Sequence, residues 1–246
     1  MAILPSLSAP VLAAAGPLAA APPASGNCLV ANDWICGEYY SSSRLSQIES
    51  ALLQHVWITA VSVLLGLLIA FPLALLARRY RRLEWFVVGT TTAIYTIPSL
   101  ALFALLLPWL GITPATVVVG LVLYSLTILV RNMLEGLRGV PAEVRESAVG
   151  MGYSSTRLLF RVELPLALPA VMAGLRIATV STVALTTVGA IVVYGGLGNL
   201  LASGVQEDFK AQILAASVLC VVLAVVLDVL LLGVQRLLTP WTRAGA

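Results

Sequence analysis

The chain reads as an all-α integral membrane protein with about five transmembrane helices, or six if its N-terminal tail contributes one. Three observations predict this class. Hydrophobic residues make up 60% of the 246 residues, charged residues only 10%, and the mean hydropathy is +1.00. A soluble domain carries roughly 25% charged residues, so one large water-soluble core does not account for these values. Five runs are also apolar enough, and long enough, to cross a bilayer as helices, which takes about 17–25 residues each. Finally, positive charge alternates between successive loops, as it does in proteins that follow the positive-inside bias.

The runs fall near Val56–Ala77, Trp85–Leu107, Ile112–Val130, Leu166–Val193 and Ile213–Val234. Arg78, Arg79, Arg81 and Arg82 lie between the first and second. Arg131, Arg138, Arg145, Arg157 and Arg161 lie between the third and fourth, and Arg236 and Arg243 follow the fifth. These regions hold 11 of the 14 Lys and Arg residues, whereas the alternate loops together hold only Lys210. The bias therefore predicts a cytosolic C-terminus and an external N-terminal region in a plasma or inner membrane. A net charge of +3 distributed in this way points to membrane lipid rather than to nucleic acid.

Residues 1–26 are uncharged and rich in Ala and Pro. They lack the basic n-region of a signal peptide, and Pro5, Pro10 and Pro17 oppose a helix. A disordered tail, an extra span and a cleaved signal are all compatible with them. Beyond this tail, Cys28 and Cys36 fall in the external segment, where two nearby thiols can pair; the alternative is two free, unrelated cysteines. Cys220 lies inside the fifth run and reads as packing. The single histidine, His55, is placed at the mouth of the first span, and no Cys/His spacing suits a metal. The domain layout expected is an external segment over 1–50, a transmembrane domain over 51–240 with a polar region near 138–165, and a cytosolic tail over 241–246.

That polar region carries the grammar of two short helices. Pro141 suits a first helical position, where its missing N–H costs nothing. Ala142–Met151 then reads as a helix about 15 Å long at 1.5 Å per residue, and Gly152 suits the left-handed residue that ends it. Ser154 or Ser155 can cap a second helix running through Arg157–Val162, with Pro165 and Pro169 marking its junction with the fourth span. Glu143, Arg145 and Glu146 are polar, Val144, Val149 and Met151 apolar, and small residues at Ser147 and Ala148 let another surface approach. Spacing alone leaves two readings open: a docking helix, or an amphipathic helix lying on the membrane face.

Glu146-Ser147-Ala148, then Gly152, then Val162-x-Leu164-Pro165 resemble the EAA motif of binding-protein-dependent ABC importer permeases. Ser147 and Val162 are the two departures from it. Tyr95 to Leu102, Arg131-Asn132, Ala173 to Ala178 and Gly195 to Gly198 extend the resemblance, over roughly residues 50–240, to the osmoprotectant branch of glycine betaine, carnitine and choline permeases. The resemblance implies a type I ABC importer permease fold. It also implies that Glu146, Ser147, Ala148, Gly152, Val162, Leu164 and Pro165 form the surface that engages an ATP-hydrolysing subunit. The implied partners are two ATPase subunits carrying ATP and Mg, a second identical or similar permease, and an extracytoplasmic solute-binding protein. The chain has no P-loop, which requires Gly-x-x-x-x-Gly-Lys-Ser/Thr, because its one lysine is Lys210. It is therefore expected to bind no cofactor and catalyse no covalent step. A methionine-type importer permease is the nearest alternative and a passive channel a more distant one. An intramembrane protease would need a Ser/His or paired-Asp site that His55 and Asp228 do not supply.

Within the spans, Pro98 interrupts the hydrogen-bond ladder of the second run and Ser99 is expected to re-satisfy a freed carbonyl. Interrupted spans often line transport routes, which makes Tyr95, Pro98 and Ser99 candidate pathway or gate residues. Asp228 is the acid deepest in a span; it is either a pathway carboxylate or the partner of a polar group on a neighbouring helix. Arg176 is expected to snorkel to the inner interface. Tyr95, Tyr124 and Tyr194 can offer cation–π faces to a quaternary ammonium or serve as interfacial anchors. Gly195–Gly198 reads as a sharp external turn and a candidate receptor-docking surface.

Overall fold

The computed structural model describes residues 27–192 and 194–243. The expectations for residues 1–26 and for the last residues of the tail lie outside them. Its elements are α1 (Cys28–Ala31), α2 (Ser42–Arg79), α3 (Arg81–Thr96), α4 (Ser99–Leu110), α5 (Pro114–Arg138), α6 (Ala142–Gly150), α7 (Ser155–Leu158), α8 (Leu164–Thr186), α9 (Leu197–Gln206) and α10 (Lys210–Leu238). Among the described residues, four continuous helical stretches are long and apolar enough to cross a membrane: α2, α5, Ser155–Val192 and α10. The pair α3 and α4 makes a fifth only as a broken span, bent by 100°.

Helix α5 is the central post. It packs against α2 and α8, and its Leu121, Leu129, Val130 and Leu134 are buried with Ile58, Ala70 and Ala74 of α2 and Phe103 of α4. In hydrocarbon, helices associate by close packing rather than by a hydrophobic drive, so small residues mark the crossings. A Cβ on Gly66 would lie 2.3 Å from the Ser125 hydroxyl, and one on Gly174 would lie 2.3 Å from the Asn132 side chain. By contrast, α10 leaves Val221, Val225, Val229 and Leu230 exposed, a face suited to lipid tails.

The helix that contains the first apolar run is longer than the run and starts at Ser42; Gln54 and His55 find partners at the start of α9 and on α8. Three expectations are corrected here. The Gly195–Lys210 segment is not a plain loop but contains α9, packed on α10 and α2. Gly195–Gly198 is buried rather than presented: Gly196 has φ +57 and sits where a Cβ would meet His55 at 2.6 Å. His55 itself is fully buried, with Nε2 3.0 Å from the Val183 carbonyl.

Pro165 stands at the start of α8, as expected of the junction, whereas Pro169 lies inside that helix. The junction is a π-helical turn over Leu159–Glu163, and helix continues from Ser155 to Val192. The Pro165 ring would crowd the carbonyl four residues back in α-geometry, and the extra residue of a π-turn relieves that clash.

The end of the bundle opposite the arginines is closed by a small cap. Cys28 and Cys36 are joined by a disulfide with a Cα–Cα distance of 5.4 Å. Cys36 and Tyr39 pack against Ala211 and Ala215 of α10. Asn32 ties the cap to the α9–α10 turn: its side chain donates to the Asp208 carbonyl at 2.6 Å and accepts from the Lys210 N–H at 3.0 Å. The Arg44 guanidinium lies 5.4 Å from the Tyr39 ring and 5.1 Å from the Phe209 ring. Burial pushes the Tyr39 phenol above its ordinary range, against the pull of that guanidinium.

Candidate functional site

The connection between α5 and α8 folds into a compact projection at the arginine-bearing end. Pro141 sits at the N-cap of α6, one position before the helical start expected of it, and Glu143 occupies the first turn, where a carboxylate complements the helix dipole. After Met151, Gly152 takes φ +84, the left-handed conformation that glycine adopts without strain. The Tyr153 N–H then donates to the Ala148 carbonyl at 3.1 Å, closing the end of α6. The Ser154 hydroxyl accepts from the Arg157 N–H at 3.4 Å and so starts α7.

This fold brings together residues separated in sequence. Ser147, Ala148 and Val162 line one shallow groove with Glu143, Val144 and Met151. Glu146 and Gly152 are exposed beside it, Ala148 is buried at its floor, and Leu164 and Pro165 are half-buried at the start of α8. The result is a short helix with a charged flank and small side chains along a concave strip.

One residue at this site went unread in the sequence. Glu163 is 3% exposed and accepts two bonds from Arg78 of α2, from Nη1 to Oε2 at 2.6 Å and from Nη2 to Oε1. Arg145 of α6 brings its Nε to 3.0 Å from the same Oε1, an ion-pair contact without hydrogen-bond geometry. The signal was present as an acid inside the Val162-x-Leu164-Pro165 stretch, where an apolar flank makes any carboxylate costly unless paired.

The broken span forms the second part of the site. Its helix ends at Thr96, Pro98 caps α4, and Ser99 lies in the first turn of α4. The hydroxyl that satisfies the freed Ile97 carbonyl belongs to Tyr124 of α5, not to Ser99 as expected. A residue inside a new helical turn points along that turn, whereas Tyr124 reaches the break from the side. Tyr95 stands edge-on to Tyr124 with centroids 5.6 Å apart. Tyr194 is elsewhere, packed on the rim of the central core. Below the break, the Thr127 hydroxyl donates to the Thr91 carbonyl at 2.7 Å, and Arg131 donates to the Thr92 hydroxyl at 2.7 Å. Arg131 opens onto a cavity of about 830 Å³ also lined by Arg78, Arg81, Trp85, Thr92 and Arg138.

Asp228 stands apart from the break, on α10, which packs against α8 and α9. It forms a bidentate pair with Arg176 of α8, at 2.8 Å from Nε and 2.7 Å from Nη2. Arg176 therefore does not snorkel: a facing carboxylate on α10 offers its charge a nearer partner than the membrane surface, with both side chains partly exposed. Ser181, Ile177 and Val180 line a cavity of about 440 Å³ with this pair.

Comparison with known proteins fits this geometry. Residues 62–244 match the model of the family described as binding-protein-dependent transport system inner membrane component. The chain is 35% identical over 209 residues to the osmoprotectant import permease protein OsmW of Salmonella typhimurium, an alignment covering 82% of this chain and 96% of that protein. It is 36% identical over 205 residues to the glycine betaine/carnitine/choline transport system permease protein OpuCD of Bacillus subtilis, covering 83% and 89%. In fold it is similar to an inward-facing MetNI methionine ABC transporter structure, with a TM-score of 0.72, 21% identity, and coverage of 81% of this chain and 99% of that one. A charged, small-sided projecting helix, a membrane-spanning body and a family match over most of the chain agree, and this multi-pass membrane protein belongs to the binding-protein-dependent transport system inner membrane components, with the type I ABC importer permease fold.

Proposed function

We propose that the chain is the transmembrane subunit of an ATP-driven importer of compatible solutes such as glycine betaine, choline or carnitine. The observation that carries this reading is the exposed groove of Ser147, Ala148 and Val162 on α6 and its neighbours, in a chain whose relatives include osmoprotectant and glycine betaine/carnitine/choline permeases. Glu146, Ser147, Ala148, Gly152, Val162, Leu164 and Pro165 engage an ATPase subunit, which holds ATP and Mg and hydrolyses it. Two such ATPases, a second permease subunit and an external solute-binding protein complete the machine. The arginine-bearing end, with α6 and the C-terminus, faces the cytosol. Closure of the ATPases draws two α6 helices together and swings the bundles from inward- to outward-facing as rigid bodies. Tyr95, Pro98 and Ser99 at the 100° break lie along the route, and Asp228, apart from the break on α10, is a second position on it.

The test is uptake of radiolabelled glycine betaine, choline and carnitine into proteoliposomes holding the complex, its receptor and internal ATP. Accumulation that requires ATP, the ATPase and the receptor is expected. Flux that persists without ATP would establish a passive channel instead. The fold likeness to a methionine transporter supplies a second reading, and ATP-dependent uptake of methionine but of none of the three solutes would favour it.

A further inference from the structure

We propose that Glu163 is a positioning residue: clamped between Arg78 and Arg145, it transmits displacement of α6 to the end of α2. The inference rests on the reading of α6 as the helix that an ATPase engages. Three elements meet at this carboxylate, and a fourth is joined to it through Arg145. Arg78 is the next-to-last residue of α2, Glu163 closes the π-turn before α8, and Arg145 projects from the middle of α6. Arg145 also donates through Nη2 to the Leu137 carbonyl at the end of α5, at 2.5 Å.

The chemistry suits a transmission element. A bidentate guanidinium–carboxylate pair fixes orientation as well as distance, whereas an apolar contact is non-directional. Glu163 is nearly inaccessible, while the side chains of Arg78 and Arg145 keep 26% and 31% of their exposure. The carboxylate therefore has no solvent to fall back on when either partner moves, and the arginines and the acid must travel together. The alternatives for holding α6 are few: it packs mainly on α7 and the π-turn, Arg145 bonds the end of α5, and Ala148 is its one buried side chain. A π-turn is also a soft point, one residue away from ordinary helix. An ion pair at its last residue takes up that slack, so that a push on α6 reaches the bundle instead of being absorbed by the turn.

The experiment uses the full permease–ATPase complex in nanodiscs, with spin labels at Val149→Cys on α6 and Arg79→Cys on α2, both exposed positions. Distances are read without nucleotide and with ATP plus vanadate, and no solute is needed. With native Glu163 the distance distribution stays narrow in both states. In Glu163→Gln it broadens, and in proteoliposomes the solute imported per ATP hydrolysed falls about tenfold, a loss in the range of ordinary coupling energies. A second variant guards against simple unfolding. Arg78→Met/Arg145→Met/Glu163→Leu leaves no buried charge unpaired and should hold its fold, yet it should be equally uncoupled. Wild-type distances and coupling in that triple variant would overturn the relay. Failure of both variants to retain the ATPase would also overturn it, making the cluster a structural anchor. If the wild type shows the clamped response but imports none of the three solutes, the solute assignment fails and the relay stands. If the wild type never engages an ATPase, the docking reading falls and the relay falls with it.

Discussion

Gly152 offers the sharpest handle on the projecting helix. Its φ is +84, and a Cβ built there meets nothing within 4 Å. Substitution therefore adds no clash, and its cost is confined to the backbone conformation. For an ordinary L-residue the left-handed region costs about 1–2 kcal/mol; Asn visits it more readily, and β-branched residues least readily. About 1–2 kcal/mol shifts a conformational equilibrium by roughly 5- to 30-fold. If α6 must be presented in this geometry to be engaged, the apparent affinity for the ATPase falls by the fraction of competent conformer lost. The series Gly, Asn, Ala, Val at position 152 should then weaken ATPase binding in that order, with Gly152→Ala down by about tenfold. The assay is binding of the purified ATPase to permease in nanodiscs by biolayer interferometry, with thermal unfolding as a control that should barely move. Unchanged affinity across the series, at unchanged stability, would refute the reasoning. Gly152→Asp adds a charge to the same strain and should abolish ATP-driven uptake while leaving membrane insertion intact.

Glu146→Ala should likewise lower ATPase co-purification without affecting insertion, because the residue is exposed and holds no part of the core; wild-type assembly and uptake would count against its docking role. Tyr124→Phe removes the donor to the Ile97 carbonyl at the break. That loss should destabilise the permease by about 1–3 kcal/mol, read as a lower Tm in detergent. Asp228→Asn leaves the partly exposed Arg176 charge without its bidentate partner and should lower Tm, whereas Arg176→Met/Asp228→Leu should recover it. If the double variant were less stable than the single, the pair would be more than a mutual neutraliser. Reducing the Cys28–Cys36 bond, or making both residues Ser, frees a short loop worth about 2–3 kcal/mol in closure entropy. Limited proteolysis should then cut the cap first, with α2 and α10 intact.

The projecting region was readable because its determinants are local. Pro141 opening a helix, Gly152 closing it and Ser154 capping the next are each decided within one turn of chain, and the structure places all three at or within one residue of those roles. The broken span was half-readable. Pro98 announces an interruption, but a proline specifies a lost N–H and a clash, not an angle; the 100° bend depends on α4 finding Gly120 and Phe103 as a packing pair against α5. Helix α9 was invisible because Gly195, Gly196 and Gly198 suggest a turn. Only contact with His55 and Thr187 shows that those glycines permit close approach to neighbouring elements.

From sequence alone it follows that this is a membrane protein of about five crossings, with its arginines gathered at one end and a polar pair of helices inserted among them. These properties are legible because, in hydrocarbon, each crossing must satisfy its backbone within its own segment, so span and loop are written in consecutive residues. The pairing of charges was decided only in three dimensions. Arg78 meets Glu163 across 85 positions and Arg176 meets Asp228 across 52, because α2 and α8 both pack on α5 and on each other, and α8 packs on α10. A side chain's charge shows that it needs a partner, and the packing of the helices determines which one it finds.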